Sequence, residues 1–235
     1  MSKVGIIGLG EIGSSLFNVY KQAGVKVYTR DIDSTIKGDI DILNICIPGG
    51  LDNFVDIVNE YRDMYNSKLV IIHSTVPVGT TRRIDRAVHS PVRGIHPNLA
   101  EGIKTFIKFI GYNSDVDRDV CIQHYDELGI KYHTVESSDA SELAKLTSTT
   151  YYGLCIAWHG EMKKMCDKYN IDFNTINQWT ETYNDGYTKL DMDHVVRPNL
   201  YPPVNKIGGH CVIPNTEILN ETFDSKALDL ILQYK

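Results

Sequence analysis

From Lys3 to Asp31 the chain runs through an apolar strand, a glycine cluster, an amphipathic stretch, a second strand and an acid. Few folds accept that order. Val4-Gly5-Ile6-Ile7 is long enough for one buried strand, and Gly8-Leu9-Gly10-Glu11-Ile12-Gly13 follows at once. Ser14 to Ala23 carries Leu16, Val19 and Tyr20 at helical spacing. Gly24 stops that helix, and Val25-Lys26-Val27-Tyr28 reads as a second strand ending at Asp31. Gly8 would allow a tight turn, Gly10 a close approach of backbone to a pyrophosphate, and Gly13 close packing of helix on strand. The free N–H groups and positive end of the helix would then face the phosphates. Asp31 stands where an acid can accept a ribose 2′-hydroxyl. The alternative is a glycine turn that only packs a helix on a strand. Asp31 would repel a 2′-phosphate and so favours NAD, while Arg30 beside it leaves NADP open.

Composition sets outer bounds. The chain has 235 residues, enough for one large or two small domains, and 42 % hydrophobic residues are sufficient for a core. The net charge of -6, with no basic tract, argues against nucleic acid or an anionic membrane as partner. No apolar run reaches membrane-spanning length, and the N-terminus enters a strand at once, so no signal peptide is expected. Five scattered cysteines without CxxC, at 46, 121, 155, 166 and 211, fit a reduced, cytoplasmic protein. The eight histidines form no HxxxH or HxH pair, so no metal is expected.

Beyond the first unit, Asp41 to Pro48 reads as a third strand, nearly all apolar, as a parallel strand covered on both faces should be. Cys46 within it reads as a core residue. The link from Asp31 to Asp41 is too short for a helix and a strand, which predicts a trimmed nucleotide fold. Leu51 to Tyr65 is helical by pattern, and Leu69 to His73 is another buried strand. Ser74-Thr75-Val76-Pro77-Val78-Gly79-Thr80-Thr81 leaves its carboxyl end, where α/β folds place ligands. Thr75 is either a turn hydroxyl or a ligand contact. The expected cofactor set is Gly8, Gly10, Glu11, Ile12, Gly13, Asp31, Pro48, Ser74 and Thr75. Glu11 would repel a pyrophosphate unless it points away. The pattern further predicts a helix from Arg82 to Val88, strands over Val92–Asn98 and Lys104–Gly111, a helix over Asp115–Leu128 and a strand over Lys131–Val135.

The predicted first domain is 1–136 and the second, helical one 137–235. Asp139 with Glu142 three residues on looks like a capping box. From there to about Asn170 no proline interrupts the pattern, giving one helix of ~48 Å. Thr150, Gly153, Ala157 and Gly160 set small residues along it, with Leu143, Leu146, Leu154, Trp158, Met162 and Met165 around them. Such a helix is expected to be buried, with a second helix close against its backbone and a second subunit as the suggested source. A homodimer through 139–170 follows from that reading. Cys155 and Cys166 read as core thiols. Lys145 sits near the helix start, where the dipole disfavours a cation. It is either solvated beside Glu142 or turned to a cleft. Residues 181 to 204 read as loop with a short helix, and Asp224 to Tyr234 as a last amphipathic helix. In Gly208-Gly209-His210-Cys211 the glycines could present an exposed thiol, activated if Lys145 or His210 lowered its pKa. A buried small hydrophobe is the other reading of Cys211.

Four of these stretches together resemble the UDP-glucose/GDP-mannose dehydrogenase family. They are Ser74 to Thr81, His96-Pro97-Asn98-Leu99-Ala100-Glu101-Gly102, Glu142-Leu143-Ala144-Lys145 and Gly208-Gly209-His210-Cys211, in that order. The resemblance covers nearly the whole chain. It implies a trimmed Rossmann-type, doubly wound parallel α/β sheet followed by a helical domain built on one long helix. It implies NAD as cofactor and two successive oxidations of a primary alcohol of a nucleotide sugar. By motif, Cys211 would be the nucleophile, holding a thiohemiacetal and then a thioester. Lys145 would stabilise or exchange protons with the sugar oxygen, and Thr75 would position catalytic water. The family's glutamate is replaced by Asn98, its asparagine by Thr149 and its aspartate, four residues past the cysteine, by Asn215. These three complete the candidate catalytic set. The resemblance further implies that the family's C-terminal domain, which holds much of the nucleotide, is not contained in these 235 residues.

Three functions follow. The first is a nucleotide-sugar dehydrogenase using Lys145 and Cys211. The second is a one-step hydroxy-acid or alcohol dehydrogenase using Lys145 alone. The third is a non-catalytic NAD-binding or assembly subunit, favoured by the neutral residues at 98, 149 and 215.

Overall fold

The structure is a computed structural model that describes residues 2–32, 34–94 and 99–235. It divides into two compact units, Met1–Lys145 and Leu146–Lys235.

The first unit is built on β1 (Val4–Ile7), α1 (Glu11–Gln22), β2 (Val27–Arg30), β3 (Ile42–Ile45), α2 (Phe54–Met64), β4 (Leu69–Ile72), β5 (Ala87–His89), α3 (Leu99–Thr105), β6 (Lys108–Tyr112), α4 (Asp115–Glu127) and β7 (Tyr132–Val135). Its seven strands form one sheet in the order β2-β1-β3-β4-β5-β6-β7. Side chains alternate faces along a strand. Val4, Ile6, Ile42, Leu69 and Ile71 therefore pack with Leu16, Val19 and Tyr20 of α1 and Cys121 and Tyr125 of α4 on one face. Ile7, Leu43, Ile45, Val70 and Ile72 pack with Phe54, Val55 and Val58 of α2 on the other. Burial on both faces is why these strands read as unbroken apolar runs.

The link between β2 and β3 holds no helix among its described residues. It covers the sheet with two side chains instead: Ile36 and Ile40 are buried, and a Cβ on Gly5 would lie 3.0 Å from Ile40.

Three sequence expectations fail between His73 and Gly111. The helix over Arg82–Val88 is a single 3-10 turn, Thr81–Arg83, followed by β5. Arg86, at φ 56°, breaks the helical path, and Ala87 and Val88 are drawn into the sheet core. No strand forms over 91–94, because β5 already holds that place in the sheet, and 95–98 lie outside the described residues. Leu99 to Thr105 is helical, so the strand expected over Lys104–Gly111 runs only from Lys108. The sheet is also not wholly parallel: β6 pairs with β5 antiparallel through Val88↔Tyr112 and His89↔Gly111. The connection spends α3 on covering α1 rather than on crossing the sheet.

The long helix α5 (Ser138–Tyr169) has 32 residues. Ser137 caps it, its Oγ accepting the Ala140 N–H at 3.1 Å. Asp139 is not the cap. It pairs with Arg82 at 2.8 Å.

The second unit adds α6 (Asn174–Lys189), α7 (Val212–Asn220) and α8 (Lys226–Leu232). The close neighbour predicted for the small residues of α5 comes from the same chain rather than a second subunit. A Cβ at Gly153 would lie 2.5 Å from Val212, and one at Gly160 2.4 Å from the Tyr234 hydroxyl. Leu146, Ala157, Val212, Leu219, Leu228, Ile231 and Tyr234 form the core there. The rest of α5 is less buried than expected: Leu143, Trp158 and Met165 are exposed. Cys166 is buried and Cys155 half-buried. Helix α6 replaces the expected loop from 181. It has no buried residue; Tyr183 and Tyr187 stack, Trp179 lies tilted against Tyr183, and Arg197 is 4.7 Å from the Tyr183 ring.

Candidate active site

Four strand exits meet at the carboxyl edge of the sheet. Gly8 leaves β1 at φ +88°, a left-handed conformation that favours glycine. A Cβ there would press on the Cys46 carbonyl at 2.9 Å. Gly13 faces the Gly8 carbonyl so closely that any Cβ would stand 1.9 Å from it, so α1 starts hard against the turn. A Cβ on Gly10, by contrast, would meet nothing within 4 Å. Gly10 is the N-cap of α1 and has no side chain to cap it. The space above it, at the positive N-terminal end of α1, suits a phosphate. Glu11 opens the helix and is exposed.

Asp31 ends β2 and holds the glycine turn from the side. Its Oδ2 accepts the Leu9 N–H at 2.8 Å and its Oδ1 accepts the Ile32 N–H at 2.8 Å. Each carboxylate oxygen has a second lone pair, so a ribose hydroxyl could still be accepted. Arg30 is committed elsewhere. Its Nη1 donates to the Tyr65 hydroxyl at 2.7 Å and its guanidinium lies over the Tyr61 ring.

The exits of β3 and β4 are stitched together. Ser74 Oγ donates to the Ile47 carbonyl at 2.6 Å, and Gly49 lies so close to the Thr75 carbonyl that a Cβ would stand 1.9 Å from it. Pro48 is exposed and Thr75 half-buried on this edge.

The turn after Thr75 is anchored by α5. The Glu142 carboxylate, fully buried, accepts the Gly79 N–H at 2.6 Å and the Thr81 N–H at 2.8 Å. Burial raises its pKa and the bonds from Thr81 and Gly79 lower it, burial prevailing. Glu142 is thus occupied by the turn, and Lys145 is not a solvated lysine beside it. Lys145 is half-buried and its Nζ donates to the Val92 carbonyl at 2.9 Å.

In the second unit, Cys211 immediately precedes α7 and is half-buried. Its carbonyl accepts the Asn215 N–H at 3.0 Å. Asn215 is buried and its Nδ2 has no hydrogen-bond partner among the described residues. Thr149 is half-buried on α5. Asn98 lies outside the described residues. Cys46 and Cys121 are inert thiols, each pushed up to about 12 by burial.

One cluster escaped the sequence reading. Lys108, at the start of β6, is fully buried and its Nζ meets His73 Nδ1 at 3.1 Å, the Pro91 carbonyl at 3.1 Å and the Ser90 carbonyl. His73 Nε2 stands 2.9 Å from Asn44 Oδ1, and Asn44 Nδ2 donates to the Gly5 carbonyl. Tyr20 and His124 join it at 2.6 Å, and His89 is held between Ser141 Oγ and the Ser74 carbonyl. Burial lowers Lys108 to about 7, His89 to about 3 and His124 to about 4, and holds His73 well below the usual imidazole range. The available signal was a polar residue in a buried strand register, such as Asn44 amid Ile42, Leu43 and Ile45.

No family model matches the chain. Among curated proteins it is 25 % identical over 268 residues to the UDP-N-acetyl-D-mannosamine dehydrogenase of Methanococcus vannielii, a match covering 90 % of the chain. It is 23 % identical over 277 residues to the enzyme of that name from Campylobacter jejuni, again over 90 % of the chain. The chain spans 60 % and 65 % of those relatives' own lengths. Among solved structures, UDP-D-ManNAc dehydrogenase from Pyrococcus horikoshii superposes with TM-score 0.83 at 16 % identity, over 99 % of the chain and 68 % of that structure. The 3-hydroxyisobutyrate dehydrogenase of Mycobacterium tuberculosis superposes with TM-score 0.69 at 13 % identity, over 98 % of the chain and 91 % of that structure. The superpositions establish the fold, and the curated relatives bear out the resemblance to the UDP-glucose/GDP-mannose dehydrogenase family.

Proposed function

We propose that the chain is an NAD-dependent oxidoreductase of nucleotide-sugar type, acting on a primary alcohol. The observation that carries this is the glycine turn. Gly8 and Gly13 close against each other while Gly10 opens onto free space at the start of α1. Gly10, Glu11, Ile12 and Gly13 would receive the pyrophosphate. Asp31 would take a ribose hydroxyl, and Pro48, Ser74 and Thr75 would flank the cofactor. Arg30, turned to Tyr61 and Tyr65, supports NAD over NADP. When bound, NAD supplies a hydride acceptor. Lys145 would exchange a proton with the sugar oxygen, Thr75 would position water and Cys211 would be the covalent nucleophile. Thr149 and Asn215 occupy family catalytic positions without charge, and Asn98 would complete that set. The relatives' names suggest a UDP-N-acetylhexosamine as substrate. A homodimer through α5 is part of this reading, supported by its exposed Leu143, Trp158 and Met165.

The test is incubation of the purified chain with NAD and a panel of UDP- and GDP-sugars, with NADH measured by absorbance and Cys211 adducts by mass spectrometry. NADH with a Cys211 adduct supports the reading. Neither product with any sugar counts against it. The fold shared with 3-hydroxyisobutyrate dehydrogenase favours a second reading, one-step oxidation of a hydroxy acid by Lys145. Activity that survives Cys211→Ser but not Lys145→Ala would select it.

A further inference from the structure

The carbonyls of Ser90, Pro91 and Val92 follow one another along the chain leaving β5, and lysines hold all three. Lys108 takes the first two from inside the core, and Lys145 takes the third. Lys108 Nζ donates to the Ser90 and Pro91 carbonyls and stands 3.1 Å from His73 Nδ1, which itself lies 2.9 Å from the Ser90 carbonyl. His73 Nε2 faces Asn44 Oδ1 at 2.9 Å. Asn44 is in turn fixed by its Nδ2 bond to the Gly5 carbonyl of β1. Lys108 therefore ties the backbone of residues 90–91 to the centre of the sheet. Val92 is the next residue, with little freedom to shift its carbonyl independently.

We propose that Lys108 is a positioning residue for Lys145: by gripping the Ser90 and Pro91 carbonyls it fixes the Val92 carbonyl that receives Lys145 Nζ, and so sets where that amine stands. Its catalytic consequence rests on the reading of Lys145 as the reacting amine, whereas the positioning itself does not. A buried cation facing neutral partners is costly to keep, and the partners of Lys108 among the described residues are two carbonyls and an imidazole. Holding the segment that carries Val92 does account for it.

The experiment compares acetylation of Lys145 by acetic anhydride in the whole chain and in Lys108→Met, read peptide by peptide by mass spectrometry. The exposed Lys226 is the internal reference. With Lys108→Met, the ratio of Lys145 to Lys226 labelling should rise about tenfold, the factor of one lost charge-assisted hydrogen bond. Lys108→Arg, which keeps donors for both carbonyls, should hold the wild-type ratio within about twofold. If Lys108→Met does not fold, Lys108→Gln replaces it with the same expected direction. An unchanged ratio in the folded variant overturns the proposal, as does an arginine variant that behaves like methionine. A general loosening would raise all half-buried lysines together and leave Lys145 undistinguished, which also overturns it. In an active chain, Lys108→Met should lower kcat and leave the KM for NAD unchanged. A shifted labelling ratio in a chain that turns over no sugar would leave the positioning standing and remove the catalytic reading.

Discussion

Lowering the pH should unfold the sheet unit through its buried histidines. His89 and His124 are neutral in the fold, held at about 3 and about 4 against an ordinary 6.5, chiefly by burial. The unfolded chain binds their protons first, so the stability they provide is complete above 6.5 and is lost as pH falls through that value. The loss levels off only when the folded values are reached. At about pH 5 each histidine has lost roughly 2 kcal/mol relative to neutral pH, at ~1.36 kcal/mol per pKa unit. Together they remove about 4 kcal/mol, a large share of the 5–15 kcal/mol that domains of about this size possess. His73 acts in the same direction. Lys108, lowered to about 7 from 10.5, affects stability only above that window. The assay is urea unfolding by circular dichroism at about pH 7.5 and about pH 5. His124→Phe fills the same space without a titrating ring, and should halve the loss assigned to the pair, to ~2 kcal/mol. Equal stability at the two pH values, or an undiminished loss in His124→Phe, would refute the reasoning.

Two further substitutions test individual contacts. Gly160→Ala places a methyl against the Tyr234 ring, and should lower the unfolding free energy of the helical unit by about 1–2 kcal/mol despite alanine's better helix propensity. A rise in melting temperature would mean the α5–Tyr234 approach is looser than described. Glu142→Gln replaces one of two acceptors with an N–H₂ facing a backbone donor, and should cost about 2 kcal/mol, with faster amide exchange at Gly79 and Thr81. Unchanged exchange would show that the turn does not depend on α5.

The first four strands and their helices were legible because each is an apolar run closed by glycine or a turn, and both faces of the sheet demand the same composition. Ala87–His89 was not, because three residues carry no readable period and only the neighbouring strands select them. Helix α6 was hidden by tyrosines and polar residues that suggest loop, although Trp179, Tyr183 and Tyr187 recur at a spacing of four. Cys211 was read as standing in a glycine turn, but the helix Val212–Asn220 follows directly, and Pro214 within its first turn masked the pattern. Of the candidate site, the glycine turn and Asp31 were visible as local motif. The link between Lys108, Ser90, Pro91 and Lys145 joins elements far apart in sequence, and no local pattern encodes it.

The most direct measurement is calorimetric titration of the purified chain with NADH, alongside Gly10→Val and Asp31→Ala. A valine at Gly10 fills open space and leaves the fold intact, so it should abolish binding without changing the melting temperature by much. Asp31→Ala should weaken it by about tenfold or more for one lost charged hydrogen bond. Tight NADH binding that Gly10→Val leaves untouched, or no binding at all by a folded wild-type chain, would contradict a dinucleotide seated on this turn.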